Sequence, residues 1–126
     1  MTEPGSEIIY AALGDAEHVL ASDLTLVECD RALIRAEILL RGTEISRRRT
    51  LLQTASARWT MMSLVPFIIE RARRPFPSEP IKTLDALHLA SALSAADQIE
   101  DLTVLSLDRR VRSSARMLGL NVFPVA

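Results

Sequence analysis

The last quarter of the chain constrains the fold more tightly than any other stretch. Thr103 to Leu107 reads as an apolar strand, Arg109 to Leu118 as a helix ended by Gly119, and Asn121 to Val125 as a second strand. A strand–helix–strand order with short loops belongs to α/β architecture, with the strands parallel and the helix lying on the sheet.

The upstream chain is mostly helical. Gly5 to Gly14 reads as a short helix, with Pro4 before it and Gly14 closing it. Val19 to Ala21 is a brief strand. Asp23 opens a long helix to about Arg41, stopped by Gly42. On that helix Thr25, Leu26, Cys29, Ala32, Leu33, Ala36 and Leu40 form one apolar face, and Val27, Ile34 and Ile38 a second, narrower stripe. The second stripe is either covered within the monomer or turned toward a partner. Thr43 opens a helix running to about Met61, Pro66 to Arg73 is a short helix, and Lys82 to about Asp97 is a helix rich in Leu and Ala. Between the last two, the run from Arg74 to Pro80 holds three prolines and cannot continue a helix, so it reads as an ordered connection. The expected sheet is short and parallel, built from segments 18–22, 103–107 and 121–125, wrapped by helices and open to completion by a second copy.

The 126 residues suit one domain spanning 1–126. Aromatic residues are only 4%, so the core rests on Leu, Ile, Val and Ala. No apolar run approaches the roughly 18 residues of a membrane span, and the polar start from Met1 to Ser6 is unlike a secretory signal. These features place the expected location in the cytoplasm. Cys29 is the single cysteine, which leaves no internal disulfide and reads as a buried, inert thiol. Charge is uneven: residues 1–46 hold nine acids against three arginines, and residues 47–126 hold twelve basic residues against seven acids. The basic residues are Arg except for Lys82, and Arg forks suit phosphate and carboxylate.

Two acids stand where an acid is costly or informative, and a third is a milder case. Asp85 lies within one arc of the helical wheel with Ile81, Leu84, His88, Leu89 and Ala92. An ionised carboxylate on a buried face costs several kcal/mol unless a metal ion or an Arg meets it. Asp108 follows the strand ending at Leu107, at the carboxyl end where parallel sheets bind ligands; it is equally placed to cap the next helix. Glu28 sits at the edge of the main apolar face, near Arg35, where a surface salt bridge would also explain it. His88 is either a core histidine bonded to backbone or an orienter of a metal ligand. Three carboxylates from three segments could converge on one Mg²⁺ or Mn²⁺, which would activate water and stabilise charge on a phosphate being cleaved.

The same segments carry a family resemblance. Ser22 to Leu33 resembles the segment of the PIN family that opens a helix and carries a metal-site Glu. Thr83-Leu84-Asp85-Ala86-Leu87-His88-Leu89-Ala90-Ser91-Ala92 closely resembles the family helix reading DALHLA, whose Asp is a metal-site acid. Val104 to Arg110 is similar to the strand-end segment with another such Asp, and Ala115 to Val122 to the closing A-x-x-L-G-L helix and strand. The nearest group is the VapC-like toxins, which are metal-dependent ribonucleases paired with antitoxins. The resemblance implies a PIN-like three-layer α/β/α fold, mostly helical. It also implies Glu28, Asp85 and Asp108 as catalytic and metal-binding acids for Mg²⁺ or Mn²⁺, and an RNA substrate. Arg109, Arg110 and Arg112, beside Asp108, are then the best phosphate contacts, with a homodimer and an antitoxin as expected partners.

Family members usually begin with a strand ending in a catalytic Asp, and this sequence starts just after that piece. Neither Glu3 nor Glu7 matches the lost position. The expectation is therefore a PIN-like fold with its first strand missing, open strand edges and a metal site short of one acid. Three functions follow: a metal-dependent endoribonuclease with weak or lost activity, an inactive PIN-like module that dimerises or binds an antitoxin, and an Arg-rich helical DNA-binding protein. The third has no turn signature and no helix with a one-sided Arg face in its favour.

Overall fold

The C-terminal strand–helix–strand forms as its sequence dictates. In the computed structural model, which describes residues 18–39 and 42–125, β3 (Thr103–Leu105) and β4 (Asn121–Phe123) pair in parallel, with Thr103 opposite Asn121 and Leu105 opposite Phe123. Helix α5 (Arg109–Met117) crosses between them and packs on β4. It ends where Gly119 takes φ +86°, a conformation that costs a side-chain-bearing residue strain. Leu120 N–H donates to the Ala115 carbonyl (2.9 Å) and Gly119 N–H to the Arg116 carbonyl (3.0 Å), closing the helix with a Schellman pattern.

Residue contacts divide the chain into two compact units, one comprising Glu17–Ser63 and the other holding Leu64–Ala126. The latter also contains α3 (Pro66–Ala72) and α4 (Thr83–Ala96), which pack on each other. Its core is aliphatic with one aromatic: Ile68, Leu89, Ala90, Val111, Ala115 and Phe76 are all at most 5% exposed. The proline-rich connection between α3 and α4 is ordered by Glu79, whose carboxylate accepts from the Phe76 amide (2.8 Å) and the Ile81 amide (2.6 Å). The Arg71 guanidinium lies 4.2 Å from the centre of the Phe76 ring and closes that side of the turn.

The first unit contains β1 (Leu20–Ser22), α1 (Asp23–Ala36), α2 (Gly42–Ser56) and β2 (Thr60–Met62). Strands β1 and β2 are parallel, with Leu20 opposite Thr60, and α1 packs on both β1 and α2. Among the described residues of this unit, Ile45 and Ser22 are the buried ones, and α1 buries none of its side chains fully.

Three expectations change. The helix from Asp23 ends at Ala36 and not at Arg41; Ile38 and Leu39 are 85% and 87% exposed, so no burial sustains a further turn. The helix expected to reach Met61 ends at Ser56, because Thr60 N–H donates to the Val19 carbonyl (2.9 Å) and residues 60–62 become a strand. A short run such as Trp59-Thr60-Met61-Met62 does not distinguish strand from helix by periodicity. The single sheet expected from segments 18–22, 103–107 and 121–125 is revised in the same way: among the described residues β1 takes β2 as its partner, and β3 pairs with β4. The helix expected over residues 5–14 lies outside the described residues. The architecture is mostly helical with short parallel sheets, and no helix among the described residues is long and apolar enough to cross a membrane.

Candidate acidic site

Asp85 lies in the first turn of α4. Ala86, Leu89 and Ala90 form one buried flank of that helix, and Ser91 and Ala95 the other. The arc between these flanks carries Asp85, His88 and Ala92, all half-buried. Of the arc expected to be buried, only Leu89 is fully buried; Asp85 and His88 are half-buried, and Leu84 is 42% exposed. An Ala- and Leu-rich helix is apolar nearly all round, so its sequence leaves open which side turns inward. Neither Asp85 nor His88 is without an interaction. Ser91 Oγ donates to the Leu87 carbonyl (2.8 Å), which satisfies its buried hydroxyl.

Asp108 is the N-cap of α5, with Oδ1 accepting from Val111 N–H at 3.0 Å. The helix-capping alternative is therefore realised, on an exposed residue three positions past the carboxyl end of β3. The turn has further bonds that sequence reading missed. Asp108 N–H donates to Ser106 Oγ (3.1 Å), and Arg112 Nη1 donates to the Ser106 carbonyl (2.9 Å). Arg112 Nη2 donates to the Pro124 carbonyl, so one guanidinium joins the ends of both strands. A signal existed: an Arg one helical turn after a strand-end Asp points back over the strand end.

The arginine clusters are largely engaged within the protein. Arg47 and Arg48 both donate to Glu44, and Arg49 to Glu37. Those two arginines hold the Glu44 carboxyl down at about 2. Arg71 donates to the carbonyls of Arg74 and Pro75, and Arg73 to Glu70 (3.1 Å). Arg109 and Arg110 are exposed at the start of α5, beside Asp108. Glu28 is on α1, in the other unit, half-buried and engaged in an interaction. Cys29, expected to be buried, is half-buried, and that burial, with Glu28 and Asp30 adding to it, pushes its thiol up.

An open groove of about 650 Å³, lined by Leu64, Ile69, Ala72, Ile81, Ala86 and Leu87, runs past Arg73 and Arg74; it includes neither Asp85 nor Asp108.

Carboxylate oxygens are the donor type that Mg²⁺ and Mn²⁺ prefer. Among the described residues, however, no three His, Cys, Asp or Glu side chains are gathered closely enough to hold a metal ion.

The family model for the PIN domain matches residues 2–117. No curated protein and no solved structure matches the chain.

Proposed function

Because the chain belongs to the PIN domain family, we propose that it is a divalent-metal-dependent ribonuclease of the VapC-like, toxin type, built as one PIN-like domain. In this reading Glu28, Asp85 and Asp108 supply the acids for Mg²⁺ or Mn²⁺, and Arg109 and Arg110 face the RNA phosphates; Arg112, expected beside them, is instead turned to the Ser106 and Pro124 carbonyls. The observation that carries it is the half-buried Asp85 beside His88, between two buried flanks of α4, on the helix whose sequence is closest to the family's own. Asp108, at the carboxyl end of β3, supports it with a second carboxylate. Exposed Arg109 and Arg110 add positive charge next to it.

A second reading is a catalytically inactive PIN-like module that dimerises or binds an antitoxin. The stripe on and just past α1 favours it, where Val27, Ile34 and Ile38 are 56%, 43% and 85% exposed.

Thermal melting with and without Mn²⁺ separates the two. For the ribonuclease, Mn²⁺ raises the melting temperature by mass action on the folded state, Asp85→Asn abolishes the rise, and single-stranded RNA is cleaved only when metal is present. No rise at millimolar Mn²⁺, with no cleavage, sinks the ribonuclease and leaves the binding module.

A further inference from the structure

We infer that Arg112 is a positioning residue for Asp108, acting through the backbone of the turn between β3 and α5. Four bonds carry this. The Arg112 side chain donates to the Ser106 carbonyl (2.9 Å) and to the Pro124 carbonyl. Ser106 Oγ accepts from the Asp108 amide at 3.1 Å, and the Asp108 carbonyl accepts from the Arg112 amide at 3.0 Å. The result is a closed ring: the side chain of Arg112 holds Ser106, Ser106 holds the Asp108 amide, and Asp108 holds the first turn that presents Arg112. Pro124 directly follows β4, so the same guanidinium ties this ring to the neighbouring strand end.

The planar fork of Arg reaches two carbonyls at once, and its charge is permanent. It is half-buried in this position, where hydrogen bonds from a charged donor are stronger than neutral ones. Asp108 is exposed and belongs to a turn, and an exposed carboxylate on a loose turn samples many positions. The ring restricts where the carboxylate stands relative to the ends of β3 and β4. Arg112 thus differs from Arg109 and Arg110, which are exposed and suited to meet phosphate directly.

This inference rests on the reading of Asp108 as a site residue, and the test separates the two. Arg112→Met, Arg112→Lys and Asp108→Asn are compared by amide hydrogen exchange and by RNA cleavage in Mn²⁺, with single-stranded RNA as the probe. For Arg112→Met the Asp108 and Val111 amides exchange at least about tenfold faster, while those of Leu89 and Ala90 in α4 are unchanged. The kcat falls with KM held, and Arg112→Lys, which reaches one carbonyl, recovers part of both effects. Three results overturn the inference: unchanged exchange at Asp108 and Val111, faster exchange spread evenly over the unit, or a rise in KM alone, which marks a phosphate contact. If Asp108→Asn leaves cleavage intact, or the wild-type protein cleaves nothing, the site reading of Asp108 fails instead. The exchange arm then still decides whether Arg112 holds the turn.

Discussion

The amide of Ser78 donates to the hydroxyl of Ser114 at 2.9 Å, joining the proline-rich connection to the buried side of α5 across 36 residues of sequence. Ser114 is fully buried at 0% exposed, and beside it the hydroxyls of Ser78 and Ser113 lie 2.7 Å apart. This is a polar seam in a unit whose core is otherwise mostly aliphatic. Replacing Ser114 by Ala leaves the Ser78 amide without its acceptor in a site shielded from water. The expected loss is about 1–3 kcal/mol, read from urea unfolding. Ser113→Ala, at a half-buried position, costs less. Equal stability of Ser114→Ala and wild type would show that the seam contributes nothing.

Gly119 closes α5 at φ +86°, and open space surrounds the position a Cβ would take. The cost of Gly119→Ala is therefore backbone strain without steric clash, about 1–2 kcal/mol. Gly119→Asn costs less, since Asn tolerates the left-handed region better than Ala. Thermal melting of the two variants checks the order.

Asp108 has a capping role that is separable from any charge-based role. Asn caps helices about as well as Asp, and Ala does not. Asp108→Asn is expected to keep the stability of the wild type, and Asp108→Ala to lose about 1 kcal/mol. If both variants melt like wild type, the bond from Val111 is not a working cap. If Asp108→Asn alone abolishes metal-dependent cleavage while keeping the fold, the carboxylate acts beyond capping.

The Glu44 carboxyl is held near 2, from an ordinary 4.5, by hydrogen bonds from Arg47 and Arg48. A carboxyl whose value is depressed in the folded state contributes stability above its unfolded value, and that contribution is lost as pH falls through the folded value. The Glu44 contribution is thus complete above pH 4.5 and disappears on acidification toward pH 2. The pair is exposed and screened by solvent, so the effect is small. The melting temperatures of wild type and Glu44→Gln should converge over that window, more so at low salt. A gap that stays constant from neutral pH to pH 2 would exclude the ion pairs as its source.

Elements whose signals are local were legible in the order of residues. Gly119 announced the end of α5, Asp108 its cap, the Pro-rich run the break between α3 and α4, and the segment from Thr83 to Ala92 the family. Each of these depends on one residue's own backbone preference or on a short contiguous pattern. Tertiary structure alone decided matters that depend on a neighbour. Thr60 to Met62 became a strand because Val19 offered a carbonyl to Thr60, and β1 took β2 as its partner. Leu84 turned outward on a helix apolar on nearly every side. Arg112 was written in the sequence as one more basic residue beside an acid. Its link to Pro124, twelve residues away, exists because β3 and β4 run parallel and bring their ends together, and hydrogen bonds across such a distance follow from packing, not from the order of residues.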